Sequence, residues 1–186
     1  MPTIWRLNIK TAASEGIDPR KFCLDHGILG VGWLVDANEP LDWDSYYKLG
    51  EKEYYKKGDK GWWPAVNALH NRMAVDDLCW TRDWDGIYYI GRITGDWEYR
   101  STPKYKKADV VNIRNCKWFK VGEVDSVPGK VVNSFRTRRA VQSVNDGSAS
   151  FYAQLLYNEL SGESVYLPDI QDTDLFSLIS TDDCED

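Results

Sequence analysis

Residues 78–94 restrict the fold more than any other stretch. Leu78–Arg82 alternates like a strand, Asp83-Trp84-Asp85-Gly86 forms a turn ending in Asp-Gly, and residues 87–94 run back as a second strand. A hairpin of this kind commits the chain to an antiparallel sheet, and the flanking segments must pack around it. Upstream, residues 3–10 alternate Trp5, Leu7 and Ile9 with Ile4, Arg6, Asn8 and Lys10, which predicts a strand with one buried face. Asp18-Pro19 supplies the cap and first position of a short helix to about His26, ended by Gly27. The run "ILGVGWLVD" (28–36) predicts a largely buried strand whose two glycines leave room for another backbone or a ligand. Trp43, Tyr46, Tyr47 and Tyr54 recur at helical spacing over 41–57, capped by Asp42 or Asp44 and broken by Gly58 to Gly61. Pro64 suits the first turn of a further helix that turns Val66, Leu69 and Met73 inward.

Downstream of the hairpin, Gly95-Asp96 turns into 97–100, and 109–121 reads as one or two strands after a looped basic stretch. "VPGKVVNSF" and "RTRRAVQSV" predict a last strand or turn plus a short helix, and 151–160 forms a closing helix after Asn-Asp-Gly-Ser. Strand, helix, strand, two helices and then four or more strands predict an α+β fold, a curved mixed sheet or small β-barrel flanked by helices. One domain is expected over 1–160, followed by an acidic tail at 161–186 that is partly disordered and whose "LFSLI" segment can dock on the domain or a partner.

The net charge of −6 hides an uneven distribution. Eight acids and no Lys or Arg follow residue 160, whereas 101–140 hold ten Lys or Arg against Asp109, Glu123 and Asp125, a local excess of seven positive charges. Such a segment can meet phosphates although the whole chain is acidic, and its plain alternative is a solvated sheet face. Cys23, Cys79, Cys116 and Cys184 contain no C-x-x-C pair and are expected to be ordinary thiols rather than a zinc site. Neither a membrane span nor a signal peptide is legible, so the expected location is the cytoplasm.

Catalysis is not the favoured reading. His26 and His70 lack Cys, Ser or Asp partners at nucleophile or metal spacing, phosphate-loop and dinucleotide fingerprints are missing, and no cofactor is expected. Asp76-Asp77 and Asp83-Asp85 are explained as turn and strand-edge residues, although a metal nuclease would use Asp77 and Asp83. Aromatic binding is better supported. Nine Trp and eleven Tyr exceed the needs of a core of this size, and several adjoin glycine or a turn: Gly32-Trp33, Gly61-Trp62-Trp63, Asp83-Trp84 and Asp96-Trp97. Flat rings on rigid backbone can stack on a flipped base whose edge the Asn67 amide or the Asp36 carboxylate reads. The alternative is that these rings pack on one another across the sheet.

The order "ILGVGW", "AVNALHNRMAVDDLCWTR", "GIYYIGRITGDWEYR", "NCKWFKV" and "VPGKVVNSF" with "TRRAVQSV" resembles the EVE-like branch of the PUA-like superfamily over roughly residues 3 to 146. Asp76-Asp77 stands where that pattern has Gly-Asp, and the acidic tail has no counterpart in it. The resemblance implies a domain that binds DNA or RNA bearing a modified or flipped base in an aromatic cage, as a specificity module of a restriction or anti-phage defence system. Trp33 would lie at the pocket edge and Trp62 or Trp63 would form a wall, with Trp80 and Tyr99 as further candidates. Lys104, Lys106, Lys107, Arg114, Lys117, Arg136, Arg138 and Arg139 would contact phosphates, and an effector protein is a possible partner. The alternative from another class is a protein-interaction adaptor that uses an aromatic surface and the acidic tail.

Overall fold

The computed structural model describes residues 1–10 and 12–168. The expectations for the "LFSLI" segment and for the disorder of the tail beyond 168 lie outside the described residues. Among the described residues, seven strands form one mixed sheet curled into a half-barrel with helices on both faces. They are β1 (Ile4–Leu7), β2 (Ile28–Val31), β3 (Leu78–Arg82), β4 (Tyr88–Ile93), β5 (Glu98–Tyr99), β6 (Asn112–Gly122) and β7 (Val141–Ser143). The spatial order is β2-β6-β4-β3-β1-β7, with β5 against β6. The predicted β3–β4 hairpin is antiparallel through Arg82 and Tyr88. β1 runs parallel to β3, which requires the long crossover through α1 (Pro19–Asp25), β2, α2 (Trp43–Gly50) and α3 (Trp62–Asn67).

The helices start where short polar side chains satisfy free backbone N–H groups. Asp18 accepts from Arg20 N at 2.9 Å, Asp42 from Ser45 N at 2.8 Å, and Asp146 from Ala149 N at 2.8 Å at the head of α6 (Gly147–Ser161). Both α2 and α3 loosen into a π-helical turn, at Glu51–Tyr55 and Ala68–Arg72. Two apolar clusters result, one on each face of the sheet. Trp5, Leu7, Cys79 and Ile93 meet α1, α2 and α3 on one side, and Ile4, Leu78, Trp80 and Ile90 meet α6 and α5 (Gly129–Ser134) on the other. β1 is therefore buried on both faces, where its alternation predicts one, because α5 and α6 cover the side that carries Ile4 and Arg6.

Two further segments differ from expectation. The basic stretch expected to be a loop contains α4 (Pro103–Ala108), which Thr102-Pro103 starts with Pro at its first turn. The order over 124–143 is a short helix, α5, and then strand β7. The one or two strands expected at 109–121 are a single strand, β6, whose first part pairs with β2 and β5 and whose remainder pairs with β4. A Cβ at Gly91 would fall on Cys116 Sγ and the Trp118 ring, so this glycine lets β6 lay its side chains flat across β4. Among the described residues, no helix is long and apolar enough to cross a membrane. Cys23, Cys79 and Cys116 are buried free thiols, and burial pushes each of them up.

Asp77 knots this framework. It is 5% exposed and accepts from Thr3 N at 2.9 Å, Trp5 Nε1 at 2.9 Å and Ala74 N at 3.0 Å, which joins β1 to the segment that enters β3. Asp77→Ala leaves these donors without their acceptor and is expected to cost about 2–4 kcal/mol of stability in urea unfolding. A loss below about 0.5 kcal/mol would show that Asp77 is a replaceable surface acid.

Candidate functional site

The site begins with a close approach of two backbones. A Cβ at Gly30 would lie 2.6 Å from Val110 Cγ1 and 2.8 Å from Asn112 O, and one at Gly32 would lie 2.6 Å from Asp109 Oδ1. Only glycine fits at either position, so β2 and the residue after it press onto 109–113. Asn112 locks this arrangement by donating from Nδ2 to Gly32 O at 2.6 Å and to the Tyr46 hydroxyl at 2.9 Å. The Tyr46 hydroxyl also accepts from Trp62 Nε1 at 3.3 Å and donates to Trp33 O at 3.0 Å, so both its lone pairs and its proton are engaged. Burial pushes the Tyr46 phenol well up.

The chain leaving Gly32 turns sharply, and Trp33 takes φ +65°, a left-handed conformation that is costly for a side chain with a Cβ. Its carbonyl is held by Tyr46, and its indole Nε1 donates to Asp59 Oδ2 at 2.9 Å. Asp59 is fixed in turn, since its Oδ1 accepts from Gly61 N at 2.8 Å and Trp62 N at 3.0 Å. Backbone and ring of Trp33 are thus both clamped, and the residue is partly buried, with its remaining surface turned to the cavities described next.

Trp33 forms a wall common to two cavities that also share Asn8, Lys10 and Ala140. One, of about 340 Å³, lies between Trp33, Tyr54 and Asp109. The other, of about 470 Å³, is bordered by Lys60, Gly61, Arg138 and Arg139. Such volumes fall in the range of small-ligand sites, roughly 300–1,000 Å³. Their polar groups are distinctive. Asn8 is 2% exposed, accepts from Arg20 Nη2 at 3.3 Å through Oδ1, and has no partner for Nδ2. Asp109, itself left-handed at φ +51°, accepts from Ala12 N at 2.9 Å, and burial raises its carboxyl above the usual aspartate range. Tyr54 donates to Leu34 O, and its phenol is pushed up to about 12 by burial. Lys10, Lys60, Arg138 and Arg139 are exposed cations on the rim. The arrangement offers a fixed aromatic face, an amide donor, a carboxyl and a cationic edge, which suits a flat polar ring attached to an anion.

Of the candidates from sequence, the structure brings Trp33, Arg138 and Arg139 together here. Trp62, at 1% exposure, Trp80, at 0%, and Tyr99, at 4%, are core residues with no open face. Trp62 supports the cleft from behind by its bond to Tyr46, whereas Trp80 packs in the cluster on the opposite face of the sheet. Trp63 packs edge-on against Tyr47, Asn67 accepts from Asn71 Nδ2 at 2.8 Å, and Asp36 is exposed beyond β2; none of the three borders either cavity. Trp43 and Trp97 close on themselves too, with Trp43 stacked on His70 at 3.9 Å and Trp97 edge-on at 5.2 Å, so no ring fits between them.

Arg114 offers phosphate nothing. It is 2% exposed, and its guanidinium donates to Leu69 O, Met73 O and Gly95 O and faces Asp96. Lys117 pairs with Glu163 at 2.6 Å, and Arg136 is exposed away from both cavities. Lys104, Lys106 and Lys107 are exposed on α4, whose C-terminal cap is Asp109 of the cleft. Asp83 accepts from Ile87 N and from the Tyr89 hydroxyl, a turn role like that expected for it. The cleft residues to which the sequence reading gave no site role are Asn8, Lys10, Tyr54, Asp59, Lys60 and Asp109.

Comparison with known proteins places these observations in a family. The family described as "Domain of unknown function (DUF8426)" matches residues 5–145. No curated protein matches. Among solved structures, protein Atu2648 from Agrobacterium tumefaciens shares 15% identity at a TM-score of 0.39, covering 90% of this chain and 99% of its own. The YTH domain of Zygosaccharomyces rouxii MRB1 protein, solved in complex with N6-methyladenosine RNA, shares 10% identity at a TM-score of 0.37, covering 91% and 89%.

Asp109 generates a pH prediction. Because its folded pKa lies above the unfolded value, the folded state holds the proton more tightly, and stability falls as pH rises from the ordinary aspartate value through the raised one. Asp109→Asn removes the buried charge, retains an oxygen for Ala12 N, and tolerates the left-handed backbone. The variant is expected to melt above the parent at pH 7, with the gap closing toward about pH 4. A gap that does not change with pH in thermal melts refutes a buried, uncompensated Asp109 charge.

Proposed function

The chain belongs to this DUF8426 family, whose description assigns no activity, and we propose that it is a non-catalytic nucleic-acid-binding domain that seats one flipped base against Trp33. The observation that carries this reading is the clamped, partly buried indole of Trp33 at φ +65°, with two cavities against it. Backbone strain of this kind persists where the surroundings over-determine it, and a fixed π face is what a base stacks on without sequence preference.

The polar groups supply what stacking lacks. The Asn8 amide and the Asp109 carboxyl reach the edge of a base with a donor and with a group that accepts when ionised and donates when protonated. Lys10, Lys60, Arg138 and Arg139 meet the flanking phosphates, and Lys104, Lys106 and Lys107 on α4 extend the cationic track. The finer reading is that the base is modified and that the domain serves an effector within a restriction or anti-phage defence system. The sequence resemblance to EVE-like domains motivates it.

The test is binding to matched single-stranded oligonucleotides that carry a plain base, 5-methylcytosine, 5-hydroxymethylcytosine or N6-methyladenine, at two salt concentrations. The four rim cations alone, at about 0.7 each, predict a slope of log affinity against log salt of about −3, and each α4 lysine that also meets a phosphate steepens it by about 0.7. Trp33→Ala is expected to weaken binding by about 10- to 100-fold with the slope unchanged, provided its circular dichroism matches the parent. Affinity independent of salt and indifferent to every base would sink the reading.

A further inference from the structure

Trp84 projects from the tip of the β3–β4 hairpin and is 64% exposed, yet it is held in place. Its indole Nε1 donates to Asp18 Oδ1 at 3.2 Å, and one ring face rests on the Arg20 guanidinium, whose carbon lies 3.8 Å from the ring centroid. Arg20 is only 3% exposed, and its donors run to Ile9 O at 3.1 Å, Arg82 O at 3.1 Å, Asp83 O at 3.2 Å and Asn8 Oδ1 at 3.3 Å. A guanidinium bound on so many sides is a rigid base plate. The exposed Trp84 ring is therefore a second fixed aromatic face, and through Arg20 it is bonded to Asn8, the buried amide of the Trp33 cleft.

Lys10 links the hollows beside the two rings. Lys10 borders both cavities at Trp33 and also an open hollow of about 670 Å³ lined by Gly16, Ile17, Pro19 and Trp84. One cation thus stands between two clamped indoles. We propose that Trp84 stacks the nucleobase next to the one seated at Trp33, so that a single strand passes over Lys10 with a base on each ring. This rests on the nucleic-acid reading above and extends it from one nucleotide to at least two. Trp84 offers a flat uncharged ring, and Asp18 bonded to its indole and Asp85 one residue away offset the Arg20 guanidinium beneath it, which suits a neutral base better than a phosphate. The stacked base contributes area and dispersion rather than charge, so this half of the contact is insensitive to salt.

The experiment compares Trp84→Ala, Trp84→Phe and Trp33→Ala with the parent protein. The probes are single-stranded hexanucleotides with a central plain base, 5-methylcytosine or N6-methyladenine, and the matching nucleoside 5′-monophosphates. Trp84→Ala is expected to weaken hexanucleotide binding by about 5- to 100-fold, leaving monophosphate binding and the salt slope unchanged. Trp84→Phe keeps a flat face and should retain most of the affinity. Trp33→Ala is expected to weaken both probe lengths. If Trp33→Ala weakens the hexanucleotide and Trp84→Ala does not, the second stacking site is wrong while the base-seating cleft stands. If Trp84→Ala weakens monophosphate binding equally, Trp84 acts by holding Arg20 and Asn8, and the stacking role is overturned. If neither probe binds the parent protein, the nucleic-acid reading itself falls, and this inference with it.

Discussion

Everything at the cleft depends on two missing side chains. With Gly30 and Gly32 in place, β2 lies close enough to 109–113 for Asn112 to hold Gly32 and Tyr46 together, and the Tyr46 hydroxyl then fixes the carbonyl of Trp33. Any larger residue at either position must push β2 away from β6 or displace Asp109, and the left-handed turn at Trp33 loses its support. The strain is stored locally and balanced by a fully bonded Tyr46, Asn112 and Asp59. Trp5 and Trp62 also donate through their indole N–H groups, but they are buried throughout, as Trp80 is, whereas Trp33 packs only partly against the core and keeps surface toward the cavities.

The elements legible in the sequence were those written in local chemistry. The Asp-Gly turn produces the β3–β4 hairpin, Asp18-Pro19 starts α1, and Asp42 starts α2, because caps and turns need only neighbours along the chain. The glycines of "GVGW" announced a close approach, and Trp33 was read from them. What approaches was not legible, since Asp109 and Asn112 stand about eighty residues downstream and reach Gly32 only when β2 pairs with β6. The same holds for Asn8 and Lys10, which read as the outward side of a strand until the curl of the sheet brings them beside Trp33. The helix α4 could have been found from Thr102-Pro103, a start signal outweighed by the run of lysines.

Charge was where counting misled most. Of the basic residues between 101 and 140, Arg114 is a buried strut that caps carbonyls at the end of the π-helical turn Ala68–Arg72 and in the turn at Gly95, and Lys117 holds an acid. Arg6 and Arg20, outside that window, are likewise buried and tied to backbone oxygens. Arginine suits this work because its planar fork serves several carbonyls at once and keeps its charge when buried. The cations that border the cleft, Lys10, Lys60, Arg138 and Arg139, come from three separate parts of the chain, so no single window of sequence announces them.

The sheet order runs from β2 at one end to β7 at the other, and the curl stops short of joining them. The cleft occupies that seam: Gly30 to Leu34 flank it from the β2 side, and Ala140 and Val141 flank it from the β7 side. A molecule lodged there would touch both ends of the strand order at once, as a staple closes an open ring. Occupancy of the kind proposed above would complete the barrel that the hydrogen bonds leave unfinished, and the two outermost strands, each paired on one side only, are the ones it would tighten.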